Sequence, residues 1–285
     1  MSRIAYVNGR YLPHAEASVS VEDRGYQFAD GVYEVCEVRG GRLVDERRHM
    51  ARLERSLNEL RIARPMSMAA LSIVLHETVR RNRVEDGTVY LQITRGVARR
   101  EFPFPPDGTT PSVVVIARAS DNSRLERLAA EGVAVVTVPD IRWGRVDIKT
   151  VALLPNVLAK QAAREQGARE AWLIDTQGRI TEGGSSNVWI VSRDGALVTR
   201  PLGQDILPGI TRSVVIEVAK AEGLPFEERT FTLDEAYAAR EAFITSASQV
   251  VMPVVRIDGW PVGNGAPGLI AARLRSHYYR HAEFS

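Results

Sequence analysis

The chain has 285 residues, of which 45% are hydrophobic and 25% charged, and its formal net charge is +2 at pH 7. This length and composition are typical of a globular protein of about two domains, and so small a charge argues against a nucleic-acid partner. The single cysteine, Cys36, excludes an intrachain disulfide, as is usual in a reducing compartment.

Residues 1–119 are predicted to form a small α/β domain. Within it, residues 32–38 alternate between apolar and polar side chains, which is typical of a half-buried strand. Apolar residues at helical spacing predict a helix over 46–62, with Asp45 as its N-cap. The predicted elements are strands at 3–8, 32–38, 88–95 and 112–118 and helices at 46–62 and 67–82.

A polar segment at 120–124 is the expected linker, and residues 125–285 are predicted to form a larger domain. The predicted strands there are 132–138, 170–175, 187–192, 196–199, 242–246 and 253–257, and the predicted helices are 153–166, 210–222, 232–240 and one from about 267. Strands and helices follow one another in mixed order, which indicates an α/β (mixed α+β) fold.

Lysine is rare in this chain, since only Lys149, Lys160 and Lys220 among the 37 lysine and arginine residues are lysines. An arginine keeps its proton in a protein and cannot act as an amine nucleophile, whereas a lysine can. Lys149 lies among apolar neighbours, which disfavour the charged ammonium and predict a reactive amine. The alternative is a lysine on an edge strand with its ammonium in solvent. Lys160 and Lys220 fall on amphipathic helices and are expected to be surface charges.

Three further segments are candidates for ligand binding. Glu182, in the string TEGGSSN, is suited to keep a ring nitrogen protonated, although an ordinary polar turn is the alternative. The string LPGITR at 207–212 precedes a predicted helix, whose first N–H groups bind phosphate readily; simple helix capping is the alternative. Arg52 is a candidate phosphate ligand or a solvated helix charge. The five histidines lack metal-ligand spacing, so we expect no metal site.

Five strings, in this order, resemble one family, the class IV aminotransferases of the pyridoxal 5'-phosphate (PLP) fold type IV, and within it the D-amino acid transaminases. The resemblance extends over nearly the whole chain. The strings are EDRGYQFADGVYEV (22–35), DIRWGRVDIK (140–149), NVLAKQAA (156–163), TEGGSSNV (181–188) and GITR (209–212).

The resemblance implies a small N-terminal α/β domain, a larger barrel-like C-terminal α/β domain and PLP as the cofactor. It also implies that Lys149 is the catalytic residue, which holds PLP as a Schiff base and moves the substrate proton. The implied cofactor-binding residues are Arg52, Lys149, Glu182, Leu207, Ile210, Thr211, Ser246 and Ala247. The implied substrate-binding residues are Tyr33 and Arg100. The family forms homodimers, in which the loop carrying Arg100 reaches the active site of the partner subunit.

The chain departs from the pattern of the D-amino acid transaminases at two positions. Phe102 stands where that subfamily often has a histidine that binds the substrate carboxylate. Ala247 stands where the family usually offers a hydroxyl to the phosphate, so Ser246 or Ser248 is expected to supply it. The first departure makes the substrate range an open question.

The expected function is PLP-dependent transamination between an amino acid and a 2-oxo acid, with D-alanine or D-glutamate as the expected donor. Three alternatives from the same family stay open: a branched-chain L-amino acid transaminase, an aminodeoxychorismate lyase-type elimination and an (R)-amine transaminase. A scaffold protein without chemistry is a further alternative. Because the sequence has no signal peptide and no apolar run of membrane-spanning length, we expect a cytoplasmic protein without a membrane partner.

Overall fold

The structure is a computed structural model that describes residues 3–285. Contacts divide the chain into two units. The first comprises residues up to Asn122 together with Ile148–Ala152 and Glu283–Ser285, and the second comprises Ser123–Asp147 and Leu153–Ala282. The sequence predicts two continuous domains separated by a linker at residues 120–124. It does not predict that Ile148–Ala152, which contains Lys149, belongs to the first unit, because this segment is distant in sequence from the rest of that unit.

The first unit contains one six-stranded antiparallel sheet with helices. Its strands are β1 (Ile4–Val7), β2 (Arg10–Pro13), β3 (Gly31–Arg39), β4 (Arg42–Leu43), β5 (Gly87–Thr94) and β6 (Ser112–Ala119), and its helices are α1 (Arg24–Phe28), α2 (Glu46–Glu59) and α3 (Met68–Asn82). The strand order is β2-β1-β6-β5-β3-β4. The strands and helices predicted for this region are confirmed, whereas the sequence pattern does not predict α1.

Apolar residues of α2 and α3 cover one face of this sheet. Leu53 and Leu57 of α2 and Leu71 and Leu75 of α3 are almost completely buried, because their spacing places each pair on one side of its helix. Asp45 is the N-cap residue of α2, as expected, but its side chain makes no capping hydrogen bond to the helix. The carboxylate of Asp45 accepts a hydrogen bond from the backbone N–H of Glu283 instead.

A short segment of chain extends the sheet beside β3. The N–H of Tyr33 donates to the carbonyl of Lys149 at 3.0 Å, and the N–H of Val151 donates to the carbonyl of Gly31 at 3.0 Å. Val32 and Thr150 form the antiparallel bridge between these bonds. The backbone of Lys149 is therefore fixed to a strand of the first unit.

The second unit contains a nine-stranded mixed sheet. Its strands are β7 (Val133–Pro139), β8 (Glu170–Ile174), β9 (Ile180–Gly183), β10 (Asn187–Val191), β11 (Leu197–Thr199), β12 (Phe226–Glu228), β13 (Glu241–Ser246), β14 (Val250–Ile257) and β15 (Trp260–Pro261). The main strand order is β12-β11-β10-β13-β14-β7-β8-β9, with β15 paired to β14. Because β9 at the end of this order also contacts β10, the sheet curls as the expected barrel-like unit does.

Five helices accompany this sheet, namely α4 (Asn122–Glu131), α5 (Leu154–Glu165), α6 (Ile210–Ala221), α7 (Leu233–Tyr237) and α8 (Leu269–His281). The first turn of α4 occupies the second half of the segment that is expected as a linker. Helix α6 packs against β13 and α8, and its buried face includes Val214, Val215 and Val218. No helix within residues 3–285 is long and apolar enough to cross a membrane.

Candidate active site

Lys149 lies beside Tyr33 in the first unit. The Nζ atom of Lys149 is 4.3 Å from the centroid of the Tyr33 ring, and the Tyr33 ring stacks on Tyr90 at 5.7 Å. The backbone N–H of Lys149 donates to the hydroxyl of Ser56 at 3.3 Å. Within residues 3–285, Nζ makes no hydrogen bond or ion pair. The Nζ atom therefore lies against an aromatic face and uses none of its hydrogen-bonding positions within these residues.

Next to Tyr33 in β3, Glu34 forms a buried charge cluster with two residues of α2. Glu34 and His49 are 1% and 2% exposed, and His49 Nδ1 lies 2.7 Å from a Glu34 carboxylate oxygen. Arg52 donates from Nε and Nη2 to the two oxygens of Glu34, each at 2.8 Å. This two-point contact fixes the orientation of the guanidinium.

The cluster has a defined charge state. Burial alone raises the pKa of the Glu34 carboxyl, but Arg52 and His49 outweigh burial and hold that pKa well below its usual range. Burial lowers the pKa of His49, and the hydrogen bond to Glu34 together with the charge of Glu34 only partly offsets this effect. At neutral pH, Glu34 is therefore ionised and His49 is neutral, with Nδ1–H donating to Glu34.

Glu182, near the end of β9, occupies a network of hydrogen bonds in the second unit. One of its carboxylate oxygens accepts the backbone N–H of Leu207 and the side-chain amide of Asn187, each at 3.0 Å. The other oxygen pairs with the guanidinium of Arg142. These donors hold the carboxylate in one orientation and favour its ionised form.

Arg142 connects Glu182 to a second acid, Asp140. Nε and Nη2 of Arg142 donate to the Asp140 carboxylate at 2.9 and 2.7 Å. Burial opposes the positive charge, but the hydrogen bond to Asp140 and the charge of Glu182 outweigh burial and raise the pKa of Arg142. For Asp140, burial alone raises the pKa. The hydrogen bonds from Arg142 and Thr181 and the charge of Arg142 outweigh burial, so the pKa of Asp140 is lowered. The arrangement is thus a permanent cation between two anions.

The start of α6 is suited to bind an anion. The first N–H groups of an α-helix, here those of Ile210 and Thr211, have no intrahelical partners. The N-cap residue, Gly209, has no side chain to accept from them. The hydroxyl-bearing Thr211 is 3% exposed. A Cβ atom at Gly209 would lie 2.0 Å from Oδ1 of Asn187, so this close approach of two chain segments requires glycine.

The end of β13 supplies a further polar group. Ser246 is the last residue of this strand, and its hydroxyl oxygen is buried without a hydrogen-bond partner among residues 3–285. Such an orphaned polar atom is costly unless a ligand satisfies it. Ala247 follows directly, and Ser248 is exposed. Of the two serines proposed to replace the missing hydroxyl at 247, Ser246 has the better placement.

Arg100 lies in the segment between β5 and β6, residues 95–111, which we name the Arg100 loop. Its side chain is exposed, and its guanidinium carbon lies 5.2 Å from the centroid of the Phe28 ring. The ring of Phe28 also contacts Phe102 at 5.5 Å between centroids. The residue that replaces the family histidine therefore packs against the ring that holds Arg100.

The predicted site residues fall into two groups. Lys149, Tyr33, Arg52 and Arg100 belong to the first unit. Those of the second unit are Glu182, Leu207, Ile210, Thr211, Ser246 and Ala247. A direct hydrogen bond joins Glu182 to the N–H of Leu207. The individual roles predicted for these residues stay predictions.

Four residues that orient the predicted ones were not predicted from the sequence, namely Glu34, His49, Arg142 and Asn187. A signal for Glu34 exists, since it occupies an inward position of β3 between the buried Val32 and Cys36. A charged residue in such a position needs a buried partner. Arg142 and Asn187 lie inside the strings that carry the resemblance, but neither string indicates which side chain they contact.

The comparisons with known proteins agree on one family. Residues 31–257 match the family described as Amino-transferase class IV. A D-alanine aminotransferase of Bacillus licheniformis is 43% identical over 269 residues, which cover 94% of this chain and 93% of that protein. A D-alanine aminotransferase of Staphylococcus haemolyticus is 39% identical over 279 residues, which cover 98% of this chain and 97% of that protein.

A solved structure shows the same fold. The branched-chain amino acid aminotransferase of Escherichia coli matches this chain with a TM-score of 0.89 at 25% sequence identity. The match covers 98% of this chain and 94% of that protein. The fold is thus shared with an aminotransferase whose sequence is more distant than those of the D-alanine aminotransferases.

Proposed function

Because this chain belongs to the class IV aminotransferase family, we propose that it transfers an amino group from a D-amino acid, such as D-alanine or D-glutamate, to a 2-oxo acid. The protein is a PLP-dependent aminotransferase. The observation that carries the D-preference is sequence identity, which is 39–43% with D-alanine aminotransferases and 25% with the branched-chain enzyme.

The donor groups of the second unit fit PLP. The ready N–H groups at the start of α6, the hydroxyl of Thr211 and the orphaned hydroxyl of Ser246 suit a phosphate. The N–H of Ala247 and the side chain of Leu207 complete the set that we assign to the cofactor. When bound, PLP supplies an aldehyde carbon that bonds to amines and a ring that accepts the electrons released at the substrate Cα.

We assign the covalent hold on the cofactor to Nζ of Lys149. In this proposal the free amine would take the proton from the substrate Cα and deliver it to the carbon that was the cofactor's aldehyde. The Tyr33 ring, 4.3 Å away, limits the positions open to Nζ. We also place Tyr33 at the substrate, where its hydroxyl is available to a carboxylate.

Glu182 is assigned to the pyridine nitrogen of the cofactor. A carboxylate held ionised by Arg142 accepts the N–H of a protonated ring nitrogen and keeps it protonated. Asn187 and the N–H of Leu207 prevent the carboxylate from turning away. Arg52 is assigned to the phosphate, where Glu34 fixes the direction of its guanidinium.

Arg100 is assigned to the substrate carboxylate, in a homodimer whose Arg100 loop serves the active site of the partner subunit. Support for this assembly comes from the exposure of Phe102 and Phe104 beside Arg100, since such aromatic side chains are usually covered in a complex. The single cysteine, Cys36, is unpaired, which agrees with a cytoplasmic enzyme.

The decisive experiment is a substrate panel with purified protein, using D- and L-alanine, D- and L-glutamate, L-leucine, (R)-1-phenylethylamine and aminodeoxychorismate. Alanine is offered with 2-oxoglutarate, glutamate with pyruvate and the other substrates with each acceptor, and every substrate is also offered without an acceptor. We expect sustained turnover of D-alanine with 2-oxoglutarate and little turnover of the L-forms. Turnover of L-leucine alone would instead identify a branched-chain enzyme. Product formation from aminodeoxychorismate without any acceptor would identify a lyase.

A further inference from the structure

The Arg100 loop is closed at its base by a tight contact. Gly96 has φ +98°, and a Cβ atom there would lie 2.0 Å from the carbonyl oxygen of Thr110. The N–H of Arg24, in α1, donates to the carbonyl of Gly96 at 2.9 Å. The two ends of the loop thus lie close together, and α1 is hydrogen-bonded to one of them.

The side chain of Arg24 reaches further along the same loop. It is 3% exposed, and its Nη1 donates to the carbonyl of Glu101 at 2.6 Å. Its Nη2 donates to the carbonyl of Phe102 at 3.4 Å. A buried arginine therefore binds the backbone immediately after Arg100.

Asp30 connects Arg24 to a second buried arginine. Its carboxylate accepts from Nε of Arg24 at 2.8 Å and from Nε and Nη2 of Arg95 at 2.7 and 3.0 Å. The guanidinium of Arg95 lies 3.8 Å from the centroid of the Phe104 ring. One carboxylate thus orients both arginines that hold the loop.

The side chain of Arg100 contacts an aromatic ring and makes no hydrogen bond through its guanidinium N–H groups within residues 3–285. Its guanidinium lies over the Phe28 ring, and Arg24 lies over the same ring at 4.8 Å. Within residues 3–285, no group accepts a hydrogen bond from Arg100. Stacking leaves the N–H groups in the plane of the guanidinium, where they are available to a carboxylate.

We propose that Asp30 and Arg24 are positioning residues for substrate recognition, which fix the Arg100 loop, and that Phe28 with Phe102 presents the guanidinium of Arg100 to the carboxylate of the substrate. This inference rests on the proposed role of Arg100. It explains how the chain functions with Phe102 in place of a histidine, since the aromatic pair contributes orientation where a histidine contributes a hydrogen bond.

The test compares two donors that differ only in the carboxylate, D-alanine and D-alaninol. The readout is the second-order rate constant for loss of the visible absorbance of the holoenzyme. Asp30→Asn and Arg24→Lys are expected to lower the rate constant for D-alanine about 10-fold and to leave that for D-alaninol within about 2-fold. Phe28→Leu is expected to act in the same direction, and Phe28→Tyr, which keeps the ring, is expected to resemble the wild type.

Glu77→Gln is the matched control. Glu77 also accepts hydrogen bonds from two arginines, Arg80 and Arg81, but it lies on α3 and does not contact the loop. We expect this variant to resemble the wild type with both donors. An equal loss with D-alanine and D-alaninol in the Asp30→Asn and Arg24→Lys variants, or no loss with either donor, would overturn the proposal.

Hydrogen exchange of residues 96–104 separates failure of this proposal from failure of the proposed function. If the wild type uses only L-amino acids, L-alanine and L-alaninol replace the D-compounds. If the wild type uses neither enantiomer, the hydrogen-exchange rates of residues 96–104 alone decide whether Asp30 and Arg24 anchor the Arg100 loop. We expect faster exchange in Asp30→Asn and Arg24→Lys than in the wild type or Glu77→Gln, and unchanged rates in both variants would refute the anchoring. If Asp30→Asn does not fold, Arg24→Lys and Phe28→Leu carry the test.

Discussion

Glu34 and Arg52 form a two-point ion pair, in which each carboxylate oxygen accepts one N–H of the guanidinium at 2.8 Å. The pair is buried, so removal of one partner leaves a charge without compensation. Breaking a buried pair in this way typically costs about 3–5 kcal/mol.

Glu34→Gln is therefore expected to destabilise the protein by about 3 kcal/mol and to weaken its affinity for PLP about 10-fold or more, because Arg52 loses its fixed orientation. Urea unfolding and titration of the apoenzyme with PLP measure the two effects. Glu54→Gln is the control, since Glu54 pairs with Arg64 on the exposed side of the same helix. A wild-type PLP affinity in Glu34→Gln would show that cofactor binding does not depend on the orientation that Glu34 gives to Arg52.

Lys149→Ala is expected to lower turnover at least about 10²- to 10⁴-fold even with excess PLP, because the proton-transferring amine is lost. In the wild type, borohydride should fix one cofactor per chain on the peptide that contains Lys149, as mass spectrometry can show. Lys220→Ala, on the exposed face of α6, should retain wild-type turnover. A cofactor adduct on Lys160 or Lys220 would refute the assignment.

Arg142→Gln is expected to move the acid limb of the pH–rate profile to higher pH, because Glu182 and Asp140 lose the cation that favours their ionised forms. The maximal rate should fall about 10-fold. Arg145→Gln is a matched control from the same segment, since the guanidinium of Arg145 donates to the carboxylate of Asp147. An acid limb identical in wild type and Arg142→Gln would show that Arg142 does not set the charge of Glu182.

Stability should fall as the pH decreases from 7, in two steps of the same sign. The pKa of His49 is lowered by burial, so the unfolded chain binds a proton first, from about pH 6.5 downwards. The pKa values of Glu34 and Asp30 are also lowered, despite burial, by their arginine partners, so further stability is lost below about pH 4.

Thermal unfolding between pH 7 and pH 3 measures both steps. His49→Gln should flatten the slope between about pH 6.5 and pH 5 and leave the lower step in place. If this variant keeps the full slope in that range, another group titrates there.

The fold class, the family and the cofactor predicted from the sequence are confirmed. The predicted elements with strong periodicity, such as α2, α3 and β3, are confirmed because local spacing alone determines which face is buried. Helix α1 is not predictable from local spacing, since it has only five residues and its N-cap Asp23 is bound to Thr94, which is distant in sequence.

The site was only partly predictable for the same reason. The strings that carry the resemblance identify Lys149 and Glu182, but the partners that set their surroundings are distant in sequence. Nothing local indicates that the backbone of Lys149 pairs with Tyr33 in β3, or that Arg142 binds Glu182. These contacts arise from the topology, which brings remote segments together.

The absence of a side chain at Gly209 has an effect beyond the helix that it begins. A single methyl group there would displace the amide of Asn187, which bridges the carboxylate of Glu182 and the carbonyl of Leu207. The start of α6, which we assign to the phosphate, and Glu182, which we assign to the ring nitrogen, are thus connected through the side-chain amide of Asn187. A change of colour in the holoenzyme would report an alteration at either end of the cofactor.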